Sequence, residues 1–211
     1  NKKILHKDFV VQGLLQDKEY EEVRDKFIYD PTDKNISNPG IISYSLCCKV
    51  VRREIYVKAQ EQVDDKIVIG EDMLCSLYCL QLAKSMVCLD ESFYVYRILN
   101  NSMMHSYNVK KFEHFENTVK ALVESDIVDD RRIYAYSFHA LCNEYAGIAE
   151  SVNLISEFRD KIKGTQKFKL LYDMASRVDK SNCDLASRFK IWLVNNKKYN
   201  LIFLLLKLKN R

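Results

Sequence analysis

Glycine and proline are scarce, five and two in 211 residues. So few turn formers exclude a strand-rich fold with many tight turns and leave a chain that is mainly helix. Charge of one sign is also missing: 33 basic residues face 29 acidic ones, a net of +4, too small an excess to indicate nucleic acid as a partner. The longest purely apolar run, Leu201-Ile202-Phe203-Leu204-Leu205-Leu206, is six residues, far short of a bilayer span. The seven cysteines are odd in number and none shares zinc-finger spacing with a histidine pair. Cys75 and Cys79 lie one helical turn apart in an apolar stretch, where reduced, buried thiols acting as small hydrophobes are expected, as in a cytoplasmic protein. Two phosphate-handling motifs are absent as well. There is no glycine-rich loop and no Asp-x-Asp; the pairs Asp64-Asp65 and Asp129-Asp130 are adjacent and lack that spacing.

What is present centres on residues 70–98. Gly70 is followed by Glu71 and Asp72, then by a segment apolar nearly all round and broken only by Ser76 and Gln81. A helix without a polar face has to be buried. Residues 86–98 are rich in aromatic and β-branched types, with Asp90-Glu91-Ser92 as a break, and read as one kinked strand or a short hairpin. Two carboxylates therefore stand at the mouth of a buried helix. Helix dipoles favour acids there for stability alone, but a carboxylate on a rigid element is also suited to act as a general base. Upstream, residues 41–51 are β-rich and carry Lys49, which is placed to meet substrate oxygens or to snorkel to the sheet edge. Arg52, Arg53 and Glu54 open a helix running to about Gln62. Near the N-terminus, residues 2–5 read as a strand end, and Phe9, Val10, Leu14 and Leu15 as a short amphipathic helix behind Asp8. Residues 16–35 read as a surface helix and loop, and Asn38-Pro39-Gly40 as a turn.

Gly70-Glu71-Asp72 before an apolar helix, then Leu89-Asp90-Glu91-Ser92-Phe93-Tyr94-Val95-Tyr96-Arg97, then Asn101-Ser102, preceded by Cys48-Lys49-Val50-Val51-Arg52-Arg53-Glu54-Ile55, resembles the family 2 glycosyltransferases of the GT-A fold in the order and spacing of its elements. The resemblance covers about residues 1–108. It implies the C-terminal part of a catalytic domain, with the nucleotide-binding half and its Asp-x-Asp lying outside the chain. It further implies an inverting transfer of sugar from a nucleotide-sugar donor to a hydroxyl of a glycan or lipid-linked acceptor, in surface polysaccharide synthesis. Asp72 would be the base and Glu71 its support. Lys49, Arg97, Ser102 and His105 would reach diphosphate or acceptor oxygens, the arginine through its donor fork. A divalent metal, Mg or Mn, would be held mainly by the other half, and the chain itself supplies no metal ligands. The setting would be cytoplasmic, at or near the inner face of the membrane.

The expected fold is α+β and predominantly α: a few strands of a GT-A catalytic domain over 1–108, then a helical domain over 109–211. Helical spacing runs through Phe112, Phe115, Val119, Leu122 and Val123, through Tyr134, Phe138, Leu141, Cys142 and Tyr145, and through Val152, Ile155, Phe158 and Ile162. It continues through Leu171 and Met174 and through Leu185, Phe189, Trp192 and Leu193, all read as core. Breaks are expected near 126–130, Gly147, Gly164-Thr165 and 178–182. The apolar block 201–206, bracketed by Lys197, Lys198, Lys207, Lys209 and Arg211, reads either as a last core helix that buries Leu201, Leu204 and Leu205 or as a peripheral membrane contact. The alternative to a transferase is a non-enzymatic helical interaction module presented by residues 109–211, with Glu71 and Asp72 no more than a helix start.

Overall fold

The segment without a polar face forms α3 (Glu71–Leu82), and eight consecutive residues from Met73 to Leu80 are buried. The computed structural model describes residues 12–28, 30, 42–89, 91, 94–95, 108–181 and 183–209. Among these the chain is predominantly helical, with nine α-helices and one small two-stranded antiparallel sheet. It divides into two units, one of residues 1–29 and 33–97, the other of residues 30–32 and 98–211.

In the first unit, β1 (Gly13–Gln16) runs antiparallel to β2 (Ser85–Cys88), with Leu15 opposite Met86. The alternation of a strand turns Leu15 inward and leaves Leu14 exposed. This corrects the reading of Leu14 and Leu15 as the end of an amphipathic helix: their partner strand lies some seventy residues away, out of reach of any local pattern. Helix α1 (Asp17–Asp25) follows β1 directly, and α2 (Arg53–Gln60) forms where the basic pair predicts it. Three elements surround α3: α1, α2 and a 3-10 turn at Leu46–Cys48. The Tyr20 hydroxyl donates to the Leu80 carbonyl and Ser76 Oγ to the Tyr44 carbonyl, the latter at 3.1 Å. Phe27 meets the Tyr44 ring edge-on at 5.2 Å.

The β-rich segment 41–51 is not a strand over its described part. Ser43 Oγ accepts the Ser45 N–H and Ser45 Oγ accepts the Cys47 N–H, both at 3.2 Å. Short hydroxyl side chains have captured the backbone donors that a sheet ladder needs, and the chain closes into the 3-10 turn instead. Of the stretch 86–98 read as a kinked strand or hairpin, residues 86–88 belong to β2, whose partner is β1, and residues 90, 92–93 and 96–98 lie outside the described residues. The turn at 38–40 and the strand end at 2–5 lie outside the described residues.

The second unit holds α4 (Lys110–Ser125), α5 (Asp130–Ser151), α6 (Ile155–Thr165), α7 (Lys169–Ser176), α8 (Leu185–Asn195) and α9 (Tyr199–Lys209). The long α5 is central and meets α4, α6, α7 and α9. Phe112, Leu122, Leu141, Tyr145, Ile148, Phe158, Ile162 and Leu171 form the core, with Phe158 against Phe203 at 5.2 Å and Phe112 stacked on Phe168 at 6.0 Å. Asp129 caps α5 through the Arg131 N–H, and Asp184 caps α8 through the Ser187 N–H, each at 2.8 Å.

Three expectations change here. Gly147 does not break a helix but lies inside α5, between the buried residues Tyr145 and Ile148. Tertiary packing on both sides offsets the roughly 1 kcal/mol that glycine costs a helix interior. In α8 the inward face is Ile191 and Leu193, while Leu185, Phe189 and Trp192 are exposed. In α9 the inward residues are Ile202 and Phe203. Leu201, Leu204 and Leu205 fall on the opposite side of the same helix and stay exposed, although the helix packs on α5, α6 and α8.

Candidate functional site

Gly70 precedes α3 with φ 92° and ψ 2°, a left-handed conformation that costs glycine nothing and other residues dearly. Its carbonyl accepts the Leu74 N–H at 2.9 Å, the first bond of the helix. The chain thus turns sharply into the helix, and Glu71 and Asp72 occupy its first turn, where unpaired N–H groups and the dipole favour anions. Glu71 is exposed and Asp72 half-buried. Asp72 therefore meets solvent on one side and the packed helix on the other.

Asp72, Cys75 and Cys79 recur at helical spacing along one side of α3. Burial, the adjacent Cys79 and then the Asp72 carboxylate push the Cys75 thiol up to about 12. The Cys79 thiol is also held up by burial, while Cys75 and the Lys49 ammonium pull it down. Asp72 and Lys49 thus act on neighbouring thiols of the same helix. Lys49 itself, in extended backbone just past the 3-10 turn, donates its Nζ to the carbonyls of Ser43 and Ser45, the second at 2.7 Å. Its position is not on a strand, as read from the sequence, but at the end of a turn whose carbonyls it satisfies. The structure brings Lys49 and the Glu71-Asp72 pair into one unit. Arg97, Ser102 and His105 lie outside the described residues.

Among the described residues, no group of three or more His, Cys, Asp or Glu side chains is placed to hold a metal ion.

The helical unit contains a concavity that the sequence did not reveal, a cleft of about 280 Å³ lined in part by Gln166, Lys169, Tyr172, Asn195, Lys197 and Tyr199. A relay of hydroxyls backs it: Tyr145 donates to Tyr172 at 3.3 Å, and Tyr172 meets Thr165 Oγ1 at 2.7 Å. Thr165 in turn donates to the Ile162 carbonyl at 2.7 Å. Gln166 Nε2 donates to the Tyr199 hydroxyl at 3.1 Å. Two ammonium groups and several amide and phenol groups suit the oxygen atoms of a polar ligand. Its lining comes from helices far apart in sequence, and the only local sign was Lys197-Lys198-Tyr199. No described helix is long and apolar enough to cross a membrane. No family model, curated protein or solved structure matches the chain.

Proposed function

We propose that this chain is the C-terminal part of an inverting glycosyltransferase, with Asp72 as its general base. The observation that carries the reading is the seat of Asp72: a half-buried carboxylate, two residues past a left-handed glycine, in the first turn of a helix buried on all its faces. A carboxylate held on a rigid helix in this way would meet an acceptor hydroxyl in one fixed geometry. The order of the lysine, Gly-Glu-Asp and aromatic-arginine elements supports the same reading. In the step proposed, an acceptor hydroxyl attacks the anomeric carbon and forms the new C–O bond. The bond from that carbon to the diphosphate oxygen breaks, and the nucleoside diphosphate leaves with its electron pair. The hydroxyl proton passes to a carboxylate oxygen of Asp72. The donor's diphosphate and the divalent cation would be held mainly outside this chain, and the acceptor would be a glycan or lipid-linked hydroxyl in surface polysaccharide synthesis at the cytoplasmic face.

The test is a pair of substitutions in the longer protein that the proposal requires, with release of nucleoside diphosphate as the assay. Asp72→Asn keeps the shape but cannot take the proton, and is expected to lower turnover by about 10²–10⁴ with donor affinity nearly unchanged. Glu71→Gln is expected to be milder. Near-normal turnover in Asp72→Asn would reduce the residue to a helix-capping role. The 211-residue chain alone is expected to be silent, with no manganese-dependent heat on titration with a nucleotide sugar; tight metal-dependent binding by this chain would overturn the division of labour.

A further inference from the structure

From residue 185 to the end the sequence has no aspartate or glutamate, but it has Arg188, Lys190, Lys197, Lys198, Lys207, Lys209 and Arg211. The rest of the chain therefore carries more acid than base, and the positive charge is concentrated on α8, α9 and the turn between them. These same two helices leave apolar faces uncovered. On α9, Leu201, Leu204, Leu205 and Leu208 are 39%, 53%, 40% and 64% exposed, and their spacing places them on one face. On α8, Leu185, Phe189 and Trp192 are exposed, with the two rings stacked at 6.0 Å. Lys198 Nζ stands 5.9 Å from the centre of the Trp192 ring, and Lys207 Nζ 5.5 Å from that of Phe203. An ammonium group thus borders the exposed Trp192 ring on α8, and on α9 another lies beside the buried Phe203.

We infer that the α8–α9 hairpin is an anionic-membrane docking surface that lies in the plane of the bilayer interface. The leucine face would enter the acyl boundary, and the lysines would reach up to the lipid phosphates, the arrangement by which amphipathic helices bind without spanning. Charge selects this occupant over a second copy of the chain. Two copies meeting on this face would bring the lysines of α9 and of the turn before it against their like, whereas an anionic leaflet supplies the missing counter-charge. At eleven residues, α9 is about 16 Å long and cannot cross the hydrocarbon core. The inference does not depend on the role of Asp72.

The protein carries its own probe, because Trp192 is the only tryptophan. The full 211-residue chain is mixed with vesicles of phosphatidylcholine alone, or of phosphatidylcholine with phosphatidylglycerol. Trp192 emission is expected to move to shorter wavelength, and the chain to sediment with the vesicles, only when phosphatidylglycerol is present. High salt should reverse both effects. Lys207→Glu with Lys209→Glu should weaken partitioning by more than the factor of about five expected for each neutralised cation. Leu204→Ser with Leu208→Ser should abolish the emission shift while leaving helical circular dichroism intact, since both side chains are already exposed. Four results would overturn the inference: no shift with anionic vesicles, equal binding to neutral ones, leucine variants that bind like the parent, or a lipid-free shift that grows with protein concentration and marks self-association.

Discussion

Asp72 and Lys49 show how differently two candidate site residues read from sequence. The place of Asp72 depends on Gly70, the acid pair and the apolar run after it, all within one helix length, so it was legible. The contacts of Lys49 depend on serine hydroxyls at 43 and 45 diverting the backbone into a turn, and a run of Ile, Tyr, Cys and Val disguised that choice as a strand. The thiols beside Asp72 carry a pH consequence. Cys75 binds its proton more tightly in the folded chain, at about 12, than at its ordinary value near 9. Its contribution to stability is therefore fully present below about pH 9 and lost as pH rises toward 12. Tyr20, held up to about 12 by burial, acts in the same direction. Thermal melting followed across that range should show a falling midpoint, and Cys75→Ala should flatten the fall. The exposed Cys47 and Cys48 should meanwhile alkylate well before Cys75 or Cys79.

At the scale of elements, helices were legible wherever one strong face met one break. The starts of α2 and α3 and the gaps before α5 and after α7 all follow from local chemistry. What failed was the choice of face and the weight given to single glycines. Helix α9 has apolar residues on nearly every side, so periodicity alone cannot say that Ile202 and Phe203 turn inward. Helix α7 has no side-chain cap of its own; Glu116 on α4, far off in sequence, accepts the Leu170 N–H at 2.9 Å. Gly147 offers a direct measurement. A methyl group added there meets nothing within 4 Å, so Gly147→Ala should stabilise the protein by about 0.4–1 kcal/mol, chiefly by removing freedom from the unfolded chain. Chemical denaturation that shows a loss instead would mean that α5 is strained at this point.

At the scale of the whole molecule, the helical unit is built almost entirely from residues 98–211, with Asp30–Thr32 as its contribution from upstream. The buried Asp30 forms an ion pair with Arg131, Oδ2 to Nε at 2.7 Å. Residues 98–211 produced alone should therefore fold, with helical circular dichroism and a cooperative melt, because the aromatic core lies wholly inside them. The loss of Asp30 should lower stability by only about 1 kcal/mol, since Arg131 rehydrates when its partner is gone. A broad, uncooperative melt would show that the unit depends on the rest of the chain. The change of sequence texture lies at Asn108, whereas the helical unit begins at residue 98 and takes in Asp30–Thr32. The first unit gains its stability differently. Eight successive residues of α3 are buried, so this helix has no idle face on which neutral change can accumulate. Sequences that diverge from this one should exchange only apolar or small residues through α3. The helix that seats Asp72 is then also the stretch by which distant descendants of this chain remain recognisable.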